Sequence, residues 1–203
     1  RLQPGCLIGN NHHQTPHEGE DIQLFERDVP GENKAGLSGQ AVSRLPLETC
    51  ETMNGMWGYK VADTNYKSTE ELIRLLVRTA GKGANLLLNI GPQPDGNLPA
   101  TAVTRLKEMG TWLKSHGVTI YDTEAGGLGD GEKVVSTRQD KTIYVHVLDA
   151  TLDSLHIDCA ASVQRITDFE NNAPMRFTQR NGKLTCKLPP QTEVDRIVVL
   201  HLK

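Results

Sequence analysis

The spacing of apolar and polar positions divides this chain into two stretches. In the first, short apolar runs end in polar clusters. Gly5-Cys6-Leu7-Ile8-Gly9 predicts a buried strand that ends at Asn10-Asn11-His12-His13. Asp21-Ile22-Gln23-Leu24-Phe25 predicts a second strand, ending at Glu26, and Leu47 to Met53 a third. Between the last two, the Gly- and Ser-containing stretch from Pro30 to Ser43 predicts a long loop. Ser68-x-x-Glu71 is a capping box, in which the hydroxyl accepts from an orphan helix N–H and the carboxylate reaches back. Leu72, Ile73, Leu75, Leu76 and Ala80 then recur at helical spacing, and Gly81 and Gly83 end the helix. The run Asn85 to Ile90 is continuously apolar at its centre, the pattern of a strand buried on both faces. A turn-rich loop from Gly91 to Gly96 leads to Pro99, suited to the first turn of a helix that carries Ala102, Val103, Leu106, Met109 and Leu113 on one side.

Strand, loop and helix alternating in this way is the rhythm of parallel α/β units. The rhythm stops after about residue 119. From there the chain shows only short alternating segments: Val134–Thr137, Thr142–Leu148, Ser154–Ile157, Val163–Phe169, Met175–Gln179, Lys183–Leu188 and Arg196–Leu202. Asn181-Gly182 between two of them is a strong hairpin signal. Strands at this spacing predict an antiparallel β-sandwich. The expected fold class is therefore α/β followed by all-β, with a first domain over 1–119 and a sandwich over 120–203. Gly126, Gly127 and Gly129 loosen the chain just past the boundary.

The 203 residues carry a formal net charge of -3, which gives no electrostatic footprint for nucleic acid or an anionic membrane. No apolar run approaches the roughly 18 residues of a membrane span. Arg1 is followed by neither a charged n-region nor an apolar h-region, which predicts an internal segment of a longer chain. The four cysteines form no C-x-x-C pair, so a structural zinc site is not expected. Cys6 and Cys50 fall in predicted strands, Cys159 and Cys186 in the sandwich. Buried free thiols are the simplest reading, with a Cys159–Cys186 disulfide as the alternative.

In parallel α/β sheets that close into barrels, reactive groups lie where strands end. Here those ends carry His12 and His13, Glu26, and the Trp57-Gly58-Tyr59 segment. Imidazoles, a carboxylate and an indole at one mouth are the inventory of a sugar pocket. Each has a plainer reading: Glu26 as a solvated loop carboxylate, Trp57 as core, Asn89 to Pro92 as a strand-to-loop transition. His12, His13, His17 and Glu18 could instead ligate a metal, although adjacent histidines in an extended segment point opposite ways.

Taken together, the stretch from Gly5 to Thr123 resembles family 29 glycoside hydrolases, the α-L-fucosidases. The most specific match is Gly81-Lys82-Gly83-Ala84-Asn85-Leu86-Leu87-Leu88-Asn89-Ile90-Gly91-Pro92-Gln93-Pro94-Asp95-Gly96, supported by Trp57-Gly58-Tyr59, the Leu106-to-Trp112 helix and Gly117-x-x-Ile120-Tyr121-x-Thr123. The resemblance implies the C-terminal portion of a (β/α)8 TIM-like barrel followed by a sandwich, and a retaining mechanism with two carboxyl groups. It implies an aspartate nucleophile in a Trp-x-Asp-like context; no such strand occurs in this sequence, so it is expected upstream of Arg1. Glu26 occupies the acid/base position, with Glu20, Glu48 and Glu51 as competitors. A general acid must be protonated at working pH, so a partly apolar setting is expected for it. His12 and His13 stand where many relatives have Asn-Asp-Arg against the fucose hydroxyls, and Trp57 where an aromatic ring meets the sugar.

The expected activity is exo-hydrolysis of terminal α-L-fucose from fucosylated glycans or glycoconjugates, with no cofactor and no metal. The expected compartment is periplasmic, extracellular or lysosomal. A (β/α)8 barrel takes about 250 residues. The missing N-terminal half is therefore expected as a companion chain or fragment, since a half barrel leaves sheet edges open. The rival readings are a non-catalytic carbohydrate-binding protein and a metal-dependent hydrolase using His12, His13 and His17.

Overall fold

The computed structural model describes residues 3–11, 18–190 and 194–203. By contacts the chain divides into two compact units, Arg1–Leu72 with Gly83–Thr111, and Ile73–Lys82 with Trp112–Lys203. The division falls within both α-helices.

The first unit is built on a four-stranded sheet of β1 (Gly9–Asn10), β2 (Ile22–Glu26), β3 (Leu47–Thr52) and β4 (Ala84–Asn89). The strands lie side by side in chain order, every neighbouring pair parallel. Two helices follow the last two strands: α1 (Thr69–Gly81) and α2 (Ala100–His116). The capping box forms, with Ser68 N donating to Glu71 Oε2 at 2.7 Å and Glu71 N to Ser68 Oγ at 3.1 Å. Gly83 takes the left-handed conformation just past the helix, at φ 70°. No helix connects β2 to β3. The intervening loop is held instead by polar side chains: the buried Asp28 carboxylate accepts from Lys34 N and Ala35 N, and Gln23 bonds Ala41 O and Ser43 N.

Two expectations for this sheet need correction. The first strand is not Gly5–Gly9 but Gly9–Asn10. β2 begins at Ile22, so residues 5–7 have no neighbouring strand to pair with, Cys6 lies outside any strand, and Leu7 and Ile8 stay exposed. Nor is β4 buried on both faces. Register places Asn85, Leu87 and Asn89 on one face with Glu48, Cys50 and Thr52, and Leu87 is 52% exposed there. The opposite face, with Phe25 and Thr49 at 0% exposure, is closed.

The second unit is a sandwich. One antiparallel sheet has the order β10-β9-β13-β7-β6-β5, the other β11-β12-β8. In chain order these strands are β5 (Glu124–Ala125), β6 (Val134–Gln139), β7 (Thr142–Val147), β8 (Ser154–Asp158), β9 (Val163–Asp168), β10 (Pro174–Met175), β11 (Phe177–Arg180), β12 (Lys183–Lys187) and β13 (Arg196–Leu202). Period-two alternation aims Leu155, Ile157, Leu184 and Cys186 of the smaller sheet at Val145, Ile166, Val198 and Leu200 of the larger, forming one core. Asn181 (φ 51°) and Gly182 (φ 75°) make the two-residue turn between β11 and β12.

The fifth expected strand, Met175–Gln179, is two strands: β10 pairs with β9 in the larger sheet, and β11 with β12 in the smaller. Chain pattern cannot reveal such a switch, because the partner and not the local period decides it. All four cysteines are free, with Cys159 and Cys186 buried in the sandwich.

The outer face of the larger sheet also carries buried groups. Tyr144, Ile197 and Val199 cluster with Phe169, which packs edge-on against Tyr144 and stacks with His116. His116 lies flat on Trp112, with ring centroids 4.6 Å apart, and its Nε2 meets Glu170 Oε1 at 2.9 Å. His146 Nδ1 and Asp195 Oδ2, both fully enclosed, lie 2.5 Å apart, while Asp195 Oδ1 is buried without a hydrogen-bond partner among the described residues. Among the described residues, no helix is long and apolar enough to cross a membrane.

Candidate active site

The C-terminal ends of the parallel strands carry the polar residues that sequence singles out. Alternation along β2 turns Phe25 into the closed side and leaves Glu26, half-buried, on the open face opposite Cys50 of β3. The chain then bends sharply. Arg27 sits in the left-handed region at φ 61°, its N–H donating to Cys50 O at 2.8 Å. A non-glycine residue there is uncommon and costs energy that its surroundings must offset. Two contacts hold it: the guanidinium donates to Gly55 O at 3.0 Å and lies over the Trp57 ring, 5.3 Å from its centroid.

Trp57 is thereby brought to Glu26. Its indole Nε1 donates to Glu26 Oε1 at 3.1 Å, across 31 positions of sequence. Asn11, just after β1, donates from Nδ2 to Glu26 Oε2 at 3.1 Å. Both carboxylate oxygens thus accept a hydrogen bond, which fixes the plane of the group. The two other residues expected here, His12 and His13, lie outside the described residues, as does the His17 that would complete the alternative metal cluster. Among the described residues no group of three or more His, Cys, Asp and Glu is placed to hold a metal.

The motif after β4 acts on the same assembly. Asn89, the last residue of β4, donates from Nδ2 to Trp57 O at 2.7 Å and to Thr52 Oγ1 at 3.1 Å. Thr52 Oγ1 in turn donates to Met56 O at 3.0 Å. Gly91 passes so close to the next segment that a Cβ would lie 2.5 Å from Tyr59 N and 2.6 Å from Gly58 C. Only glycine fits. The Asn-x-Gly-Pro run, which sequence reads as a strand-to-loop transition, is therefore the seat of the Trp57 loop. Arg27 and Asn89 are absent from the residues expected at the site. The one available signal was their place in the chain, immediately after a strand and within the most specific motif.

The competing carboxylates stand elsewhere. Glu51 points to the closed side of β3, where it accepts from Thr52 N at 2.7 Å and pairs with Lys67 at 3.5 Å. Glu48 lies on the open face two residues before Cys50 and pairs in register with Leu24, deeper along the sheet than Glu26. Glu20 is buried ahead of β2. The Cys50 thiol beside Glu26 is pushed up to about 11, chiefly by burial and then by the Glu26, Glu48 and Glu51 carboxylates. It stays neutral and unreactive.

In the sandwich, an open cavity of about 290 Å³ lies against Gly127, Asp130, His156 and Asp158. Asp130 Oδ1 already accepts from Glu132, Lys133 and Val134 N–H groups. That carboxylate oxygen is therefore already committed.

Residues 1–118 match the family model described as alpha-L-fucosidase. The chain is 46% identical to the plasma alpha-L-fucosidase of Rattus norvegicus over 79 residues, 37% of this chain and 17% of that protein. It is 33% identical to the alpha-L-fucosidase of Branchiostoma floridae over 152 residues, 70% of this chain and 34% of that one. Alpha-L-fucosidase isoenzyme 1 from Paenibacillus thiaminolyticus superposes with a TM-score of 0.74 at 26% identity, covering 90% of this chain and 45% of its own. The chain spans less than half the length of each of these relatives.

Proposed function

This chain belongs to the α-L-fucosidase family, and from that premise we propose that it supplies the acid/base side of a retaining exo-α-L-fucosidase acting on fucosylated glycans. Residues 1–119 are then the last staves of a (β/α)8 barrel, and residues 120–203 a sandwich domain. The preceding barrel half, as contiguous sequence or as a companion fragment, covers the open face on which Leu87 is exposed. It brings the aspartate nucleophile, about 5 Å from the acid/base carboxyl as retention requires.

In the first step that aspartate attacks the anomeric carbon. The glycosidic bond breaks with its electron pair on the leaving oxygen, and Glu26 gives that oxygen its proton. In the second step the Glu26 carboxylate takes a proton from water, whose oxygen attacks the same carbon and releases the aspartate. Trp57 and Asn11 hold Glu26 through both steps, and the Trp57 ring offers an apolar wall to the sugar. His12 and His13 contact the fucose hydroxyls. No metal or cofactor takes part. The rat relative is a plasma enzyme by name, which fits action outside the cell; periplasm and lysosome are the other compartments where such glycosidases work.

The observation that carries this reading is the Trp57–Glu26 hydrogen bond at the open end of the sheet. Glu26→Gln in the intact enzyme is expected to lower kcat/KM on a fucosyl disaccharide by about a thousandfold. The loss on α-L-fucosyl fluoride, which needs no protonation of its leaving group, should be far smaller. Added azide should restore turnover of the fluoride and yield α-L-fucosyl azide. Equal losses on both substrates, or no loss, would remove Glu26 from the mechanism.

A further inference from the structure

Among the described residues, five other than glycine adopt the left-handed backbone region: Arg27, Asp122, Asp140, Asn172 and Asn181. Four of them are Asp or Asn, whose short polar side chains make that conformation tolerable. Arg27 is the exception, and it stands directly after Glu26. We propose that Arg27 is a positioning residue for the reaction: its side chain holds the Trp57 ring so that the indole N–H meets the Glu26 carboxyl. The proposal rests on Glu26 being the proton donor.

The turn itself does not call for arginine. The backbone N–H of Arg27 donates to Cys50 O at 2.8 Å, a bond that any residue but proline can make. At φ 61° a glycine or an asparagine would sit with less strain. What arginine adds lies beyond its Cβ. Its Nη2 donates to Gly55 O at 3.0 Å, and its guanidinium carbon lies over the Trp57 ring, 5.3 Å from the centroid. The long planar group thus reaches from the Glu26 turn to the Trp57 loop and meets both the backbone of that loop and the ring. The other restraints on the loop act on its main chain. Asn89 donates to Trp57 O at 2.7 Å, and Gly91 packs against Gly58 and Tyr59. They place the backbone of Trp57 and not its indole. The indole is held by Arg27 over its face and by Glu26 Oε1, which accepts from Nε1 at 3.1 Å. A hydrogen bond weakens steeply when its donor turns away. Arg27 therefore acts on Glu26 through Trp57, and not by touching the reacting atoms.

The test uses the intact enzyme and two substrates, a fucosyl disaccharide and α-L-fucosyl fluoride. Arg27→Gly keeps the turn without strain, and Arg27→Met keeps much of the side-chain length without the guanidinium. Were arginine there for the turn alone, the glycine variant would be fully active. Both variants should instead lose about tenfold in kcat/KM on the disaccharide and no more than about twofold on the fluoride, whose departure needs no proton. The loss should vanish in a Trp57→Phe background, where no indole N–H remains to aim. Arg27→Met combined with Trp57→Phe should then be no slower than Trp57→Phe alone. Undiminished activity of both Arg27 variants, equal losses on the two substrates, or losses that multiply in the double variant would each overturn the role of Arg27. The Glu26→Gln enzyme judges the proton donor separately. A disaccharide-selective loss there, without one in the Arg27 variants, removes Arg27 and keeps Glu26; its absence in Glu26→Gln removes both.

Discussion

The two sheet systems of this protein treat their faces in opposite ways. The larger sheet of the sandwich closes both: one face joins the smaller sheet in a common aliphatic core, and the other is filled by Tyr144, Ile197 and Val199. His146 Nδ1, enclosed there, meets Asp195 Oδ2. The parallel sheet closes one face only. Its other face carries Glu48, Cys50, Leu87 and Asn89, and its strand ends project Glu26 and the loop that bears Trp57. A buried charge without a partner is costly, so a closed core has no place for a working carboxylate. The open face can keep one, where Trp57 and Asn11 each donate to one of its oxygens.

The sharpest way to break this contrast is to remove equal side chains from the two faces. Leu184→Ala, at 0% exposure in the sandwich core, should cost about 3 kcal/mol of stability. Leu87→Ala in these 203 residues alone should cost less than about 0.5 kcal/mol, since its side chain is half in water. In the intact enzyme the second value should rise to about 2 kcal/mol, because the proposed barrel half would cover it. Denaturant unfolding of both variants in both forms decides the matter. A Leu87→Ala cost near zero in the intact enzyme would mean that the open face stays open.

How far each region was legible follows from the range of the interactions that make it. The Ser68–Glu71 capping box and the Asn181-Gly182 turn are local, and chain order alone identifies them. The split of the fifth strand into β10 and β11 is not local, since two different partners compete for it. The exposure of Leu87 was equally hidden, for an apolar run reads as buried whether or not a cover exists. At the site, strand ends and likeness to a family point to Glu26 and Trp57, but the bond between them spans 31 positions that no periodicity registers. Asn89 and Gly91 belong to the most specific run in the sequence. Their roles, an amide on the Trp57 carbonyl and a gap where no Cβ fits, exist only in three dimensions.

A smaller effect sharpens the contrast between stability and function. Trp57→Phe keeps a ring beneath Arg27 and deletes the N–H that reaches Glu26. It should lower kcat/KM about tenfold, as the loss of one hydrogen bond to a carboxylate does. The melting temperature should stay within about 2 °C, because no core contact is lost. A drop as large as that of Leu184→Ala would show that the strand ends bear load as the sandwich core does.

The smallest expected effect concerns acid, and it belongs to the sandwich. Asp149 accepts from the Thr151 hydroxyl at 2.6 Å and from Thr151 N at 2.9 Å, and pairs with Lys133 at 3.0 Å. Those bonds hold its carboxyl well below the ordinary 3.8, with the Thr151 hydroxyl the largest cause. A carboxyl depressed on folding contributes stability that is fully present above its unfolded value and is lost as pH falls toward the folded one. Asp149→Asn should therefore melt below the unsubstituted protein from neutral pH down to about 4, and the gap should narrow as the pH drops further. The group is at the surface, so salt should narrow the gap as well. A difference in melting temperature that stays constant from pH 7 to pH 2 would show that Asp149 acts through shape rather than charge. The turn it organises would then stabilise the sandwich as the core does, by packing alone.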